Sequence, residues 1–313
     1  MARRRFLAAA VLGVASFLVL GVWSASPTSA EGRARLSVAV TSADVEAIVK
    51  RVGGAEVETF NLFKGCVLRK DLLVESGAME SLAGADAVVW SGLFHESSAI
   101  HASIEKLPPA RREKLGRPQW IDVSRDAVRI NVPTSSCEGY VEIQFMYGDP
   151  FFWLNPRNGR PVAHNVAEGL SRLRPEKREV FLANADAFAR EVDADIARWE
   201  VEMRALSGLK VFATQCGWQN FAQLGGPTFI TCRRDPGTLV PPDVLAAQIN
   251  GQPVDLILVD PNTPPEYAET FGRKTKVKVV MAPSSLADLP GATSYSSLFD
   301  NVIKVLKSSA PPR

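Results

Sequence analysis

Apolar positions in this chain fall into short runs, separated by stretches in which they recur at three- and four-residue spacing. The run at 36–40, Leu-Ser-Val-Ala-Val, reads as a strand. Ser42 then precedes Val45, Ile48 and Val49, which predicts an N-capped helix. Runs at 57–60, 85–90 and 120–123 predict three more strands, with a helix over 79–83 and another opening after Ser91-Gly92. From 158 to 206 the pattern changes. Val162, Val166, Leu170 and Leu173 share a helical stripe, and so do Phe181, Ala185, Phe188 and Val192; Pro175 breaks the run once. A second alternating pattern follows, with strands at 210–214, 228–231, 256–259 and 277–281. Its helices fall at 218–224, at 241–249 (opened by prolines) and at 295–306. Strands alternating with helices argue for an α/β fold. No internal repeat is visible.

The first thirty residues change the picture of where the chain works. Arg3, Arg4 and Arg5 precede an apolar stretch from Phe6 to Trp23, and small residues from Ser24 to Ala30 follow it. This reads as a cleaved secretory signal peptide, with an uncleaved single-span anchor as the competing reading. No cysteine precedes Cys66, which closes the lipoprotein route. The expected location is the periplasm or the exterior. Charge adds little: 36 basic against 34 acidic residues gives +2, and three of the arginines belong to the signal. Neither nucleic acid nor an acidic membrane surface is an expected partner.

The four cysteines, Cys66, Cys137, Cys216 and Cys232, all lie in the exported part and near predicted strand ends. Two readings stand. Export favours disulfides, one per half, Cys66 with Cys137 and Cys216 with Cys232. The other reading is a thiolate-rich site at the carboxyl ends of strands, where open α/β sheets form their ligand crevice. Thiolate with imidazole suits zinc or copper(I). No CxxC pair is present. Neither a nucleophile elbow, a phosphate loop nor an H-E-x-x-H motif occurs, so an enzyme is not expected.

The stretch Asp149-Pro150-Phe151-Phe152-Trp153-Leu154-Asn155-Pro156-Arg157-Asn158 resembles the D-P-H-x-W-L-D-P-x-N signature of the zinc/manganese class of metal-uptake solute-binding proteins of bacterial ABC transporters. Other segments are similar to that family in order: 85–93, the Asn184 to Phe188 beat, 210–225, 253–260, and Tyr295 with Asn301. The resemblance implies two Rossmann-like α/β lobes joined by a long backbone helix. It divides the chain into a lobe at 31–157, a linking helical region at 158–206 and a lobe at 207–313. It also implies a metal ion held between the lobes, a membrane permease as partner and a monomer.

The family's metal ligands are replaced here. Its signature His is Phe151, and its first His falls near Leu68, two residues past Cys66. Its Glu after the Gly92-Leu93 turn is matched by Glu96, with His95 beside it. Its second-lobe ligand falls on Gln215, next to Cys216, and its late carboxylate near Ser284. The candidate metal set is therefore Cys66, His95, Cys137 and Cys216, with Cys232 in reserve, for zinc or, as an alternative, copper. The alternative function keeps the fold and loses the ion site. That leaves an accessory or interaction protein, or a binder of a metal chelate or small organic ligand lined by Phe94 and Phe151, with the cysteines in disulfides. Phe152 and Trp153 read as core packing, Asp149 as a turn pin, His101 as surface and His164 as a satisfied helix residue.

Overall fold

The computed structural model describes residues 35–63, 74, 76–91, 96–114, 119–130, 149–215, 217–231, 240–249 and 251–312. In the first half β1 (Leu36–Val40), α1 (Ala43–Gly53), β2 (Val57–Asn61), α2 (Ser76–Gly84), β3 (Ala87–Trp90), α3 (Glu96–Glu105), α4 (Pro109–Lys114) and β4 (Trp120–Asp122) follow one another. The four strands form one parallel sheet in the order β2-β1-β3-β4. Ser42 caps α1, its Oγ accepting from Val45 N at 3.1 Å. Asp44 and Glu46 in the first turn and Lys50 and Arg51 in the last complement the helix dipole. The stripe Val45, Ile48, Val49 and Val52 is buried, so α1 forms because one face has apolar cover to gain.

Two helices then pack on each other: α5 (Gly159–Leu173) and α6 (Arg178–Arg204). The break falls at Pro175, which opens a 3-10 turn at Pro175–Lys177, because its ring nitrogen has no hydrogen to continue the helical ladder. α5 lies close on the first sheet. A Cβ at Gly169 would sit 2.5 Å from the Ile121 side chain, so only glycine lets the helix approach β4 this closely. α6 has 27 residues, about 40 Å at the usual rise. It touches both halves: Asn184 Nδ2 donates to Val52 O at 2.9 Å, and Trp199 Nε1 donates to Asp300 at 2.8 Å.

The second half holds β5 (Lys210–Ala213), α7 (Trp218–Phe221), β6 (Thr228–Thr231), α8 (Pro242–Ile249), β7 (Leu256–Val259), α9 (Pro265–Thr275), β8 (Lys278–Met281) and α10 (Tyr295–Ser309). Its sheet is again parallel, in the order β6-β5-β7-β8. Successive strand residues point to opposite faces, and this splits the core. Val211, Ala213, Leu256, Leu258 and Val280 join the large cluster that also holds the first sheet, α5 and α6. Phe212, Ile257 and Val259 join a smaller cluster with Leu245, Ile249, Ala268 and Phe271 on the far side.

Each sheet pins its central strand with the same device. Asp86, just before β3, accepts from Ser37 N at 3.0 Å and donates its own N–H to Ser37 O at 2.7 Å. Asp255, just before β7, does the same with Lys210, at 2.8 Å both ways. The expected strands are all found, with ends moved by one or two residues. The helix α9 was not expected from the pattern: its buried stripe is only Ala268 and Phe271, too short to show as periodicity. The two-lobed α/β architecture with a long connecting helix stands as expected.

Candidate functional site between the lobes

The signature stretch folds through local bonds its sequence dictates. Asp149 accepts from Phe151 N at 2.8 Å, pinning the turn. Asn158 is a double clamp: its Nδ2 donates to Val128 O and Phe152 O, and its Oδ1 accepts from Val128 N at 2.7 Å. Phe152, Trp153 and Leu154 form a buried 3-10 turn. Trp153 then reaches across to the second lobe, its Nε1 donating to Ser284 O at 3.1 Å. Tyr295 returns the contact, its hydroxyl donating to Trp153 O at 2.5 Å.

Phe151 is 1% exposed and lies against Gly217. Gly217 has φ 99°, and a Cβ there would meet the Phe151 ring at 2.5 Å. Both facts demand glycine. Trp153 closes the other side of the ring, with centroids 5.4 Å apart. Phe151 therefore fills the space between Trp153 and Gly217. It cannot ligate an ion, and it does not line an open pocket, which corrects the expectation that it would face an organic ligand. Phe94 lies outside the described residues.

A polar contact joins the lobes beside this apolar one. Asp44, at the start of α1, is fully buried. Ser285 Oγ donates to it at 2.6 Å and Leu286 N at 2.9 Å. Ser284 and Ser285 donate their N–H groups to Asp288, both at 3.2 Å, and Asn262 Nδ2 donates to it at 3.0 Å. Ser284 Oγ donates to the buried Asp260 at 3.1 Å. Three carboxyl groups thus share one network. Burial, opposed by the bonds from Ser285 and Leu286, pushes the Asp44 carboxyl up to about 6. Burial, then the charge of Asp260, pushes Asp288 up to about 6 as well. The Tyr295 phenol is raised well above its ordinary value by burial and by Asp44.

Cys66, His95, Cys137, Cys216 and Cys232 all lie outside the described residues. For Cys66, His95 and Cys216 the nearest described residues stand past strand ends: Phe63 past β2, Ser91 after β3, and Gln215 and Gly217 after β5. Gln215 Oε1 is buried with no hydrogen-bond partner among the described residues. Ser284, at the position of the late carboxylate, is a buried hydroxyl already bonded to Asp260. Glu96 opens α3. Among the described residues no group of three or more His, Cys, Asp or Glu is placed to hold a metal ion. His101 is exposed but stacks on Trp120 at 5.6 Å, and His164 pairs with Asp186 at 3.3 Å. The inter-lobe set of Asp44, Ser285 and Asp288 escaped the sequence reading. Asp44 looks like any acid in a first helical turn, and only the fold brings it to residues some 240 positions away.

The geometry defines a two-lobed α/β protein in which the start of α1 and the signature turn meet the residues after β5 and β8 across a buried seam. The chain belongs to the family described as the periplasmic zinc-uptake complex component A (ZnuA), whose sequence model matches residues 38–309. Among curated relatives, the metal ABC transporter substrate-binding lipoprotein ScbA of Streptococcus cristatus is 25% identical over 195 residues, 62% of this chain and 59% of the relative. The high-affinity zinc uptake system protein ZnuA of Brucella abortus is 22% identical over 169 residues, 52% of this chain and 50% of the relative. The chain thus spans about half the length of the curated relatives it matches. Among solved structures, a zinc-bound ZnuA deletion mutant superposes with TM-score 0.71 at 16% identity, covering 90% of this chain and 100% of that one. The periplasmic zinc-binding protein TroA of Treponema pallidum gives TM-score 0.70 at 18% identity, covering 88% of this chain and 99% of that one. These likenesses are to the fold. Among the described residues no helix is long and apolar enough to cross a membrane.

Proposed function

We propose that this chain is the extracytoplasmic solute-binding component of an ABC transporter, carrying a metal ion between its lobes to a membrane permease. The ion is zinc, with copper(I) as the alternative cargo for a thiolate-rich site. The observation that carries the reading is the family match over 38–309, which puts this chain among zinc-uptake components. The ligands are Cys66, His95, Cys137 and Cys216. Three arguments support that set. Phe151 closes the position of the usual histidine, so nitrogen and sulfur donors must come from elsewhere. The residues described nearest to Cys66, His95 and Cys216 follow the carboxyl ends of β2, β3 and β5, where such folds bind ligands. Gln215, next to Cys216 in the sequence, carries a buried oxygen with no partner among the described residues, a polar group at the end of β5.

The lobes are divided at 31–157 and 207–313, with 158–206 as the connecting region. The chain acts as a monomer in the periplasm after loss of residues 1–30, and it is not an enzyme. The family match favours this over the accessory or organic-ligand reading, which would have needed an open pocket at Phe151. Titration of the reduced protein with zinc and with copper(I) tests the proposal. One equivalent bound tighter than about 1 μM, roughly −8 kcal/mol, is expected, weakened at least tenfold by Cys216→Ser. Failure of both ions to bind at that level overturns it.

A further inference from the structure

Asp44 and Asp288 sit on opposite sides of the lobe seam, joined through Ser285. Asp44 belongs to α1 of the first lobe, and Ser285, Leu286 and Asp288 belong to the 3-10 turn after β8 of the second. Among the described residues this contact carries acid and no base. The titratable groups acting on Asp44 from the packed elements are Asp288 of that turn and, on α10, Tyr295. Asp260, at the end of β7, acts on Asp288. The nearby bases are engaged elsewhere: Lys50 pairs with Glu46, and Arg51 with Glu191 of α6. On α5 and α6, His164 pairs with Asp186, Arg160 with Asp193, and Arg198 with Asp195 and Asp300. Among the described residues no cation neutralises the seam, so a proton is left to do so.

We propose that closing the two lobes takes up protons at the Asp44–Ser285–Asp288 contact, so that the seam holds more firmly at mildly acidic than at neutral pH. When the lobes part, Asp44 regains water and returns towards its ordinary 3.8, whereas in the closed seam it titrates at about 6. The closed form therefore binds the proton more tightly, and rising pH favours opening. For one such carboxyl the open-to-closed ratio rises about tenfold between pH 5 and pH 7. The step is a simple protonation: the proton comes from solvent onto a carboxylate oxygen of Asp44, and it leaves to solvent on opening. This goes beyond metal carriage, and its test uses the metal-free protein.

The test is hydrogen exchange of the metal-free full-length mature protein at pH 5 and pH 7, corrected for the intrinsic chemical rate. The peptide to follow carries the Ser285 and Leu286 amides, with a β3 peptide as an internal control. The expected result is an approximately tenfold loss of protection at the seam between pH 5 and pH 7, absent in β3 and abolished in Asp44→Asn. Should Asp44→Asn not fold, Ser285→Ala serves instead. It keeps the carboxyl, removes one bond that favours the anion, and should move the midpoint above 6. Seam protection that is the same at both pH values in the native chain overturns the proposal, as does an unchanged pH response in Asp44→Asn or an unmoved midpoint in Ser285→Ala.

Discussion

The two sheets of this protein match at their amino ends and differ at their carboxyl ends. Both are four parallel strands in the same order, and both fix the central strand with an aspartate just before the third strand, Asp86 in one and Asp255 in the other. At the other edge the second sheet ends in a network of its own acids and hydroxyls: Asp260, Ser284, Ser285 and Asp288. Among the described residues the first lobe sends into that network one acid, Asp44, and beside it an apolar plug, Phe151, which meets Gly217. The amino ends do the work of folding, and their chemistry can repeat. The carboxyl ends meet each other, so their chemistry must be complementary, apolar ring against glycine and acid against hydroxyl.

The largest effect should come from the apolar half of the seam. Gly217→Ala forces a side chain into a left-handed backbone and against the Phe151 ring, and should cost about 3 kcal/mol or more, read from denaturant unfolding. Phe151→Ala opens a cavity in the same place and should cost about 3–5 kcal/mol. The double variant should be less destabilised than the sum, because the cavity accepts the methyl group.

The polar half should answer to pH instead. The folded Asp44 carboxyl titrates at about 6 and its ordinary value is 3.8. The stability it adds is complete below that ordinary value and is lost as pH rises through 6. Asp44→Asn, which cannot ionise, should therefore raise stability at pH 7.5 by up to about 3 kcal/mol and should not at pH 4. Thermal unfolding of both proteins across pH 4 to 8 checks the sign. Stabilisation at pH 4 and not at pH 7.5 would reverse the account.

The matched amino ends predict a matched, smaller response. Asp86→Ala and Asp255→Ala should each cost about 1 kcal/mol by leaving a strand N–H unpaired, with Asp86 the greater because it is less exposed. The surface pair of Arg51 and Glu191 should matter least. The side chains are 40% and 56% exposed, and a double-mutant cycle should return under about 0.5 kcal/mol.

Much of this was legible in the sequence, for definable reasons. Strands such as 228–231 and 256–259 were read to the residue, because apolar runs bounded by Gly, Pro and polar residues leave no other period. Ser42 as a cap, Asp149 as a turn pin and the burial of Phe152 and Trp153 were also visible, since each depends on neighbours a few positions away. The 158–206 region showed its helices and its break at Pro175. Asp44, Ser285 and Asp288 were hidden, because their meaning lies in a contact between distant loops. Phe151 was seen as a departure from the signature, but whether it lined a pocket or filled one depended on Gly217.

The central claim is a metal ion held by thiolates between the lobes, and mass measurement of the purified mature protein tests it most directly. It should be weighed native and denatured, with and without reductant. The account predicts a native mass carrying one metal ion and, on denaturation, four titratable thiols from Cys66, Cys137, Cys216 and Cys232. A metal-free native mass, four protons lighter than the reduced chain, would mean two disulfides and would contradict it.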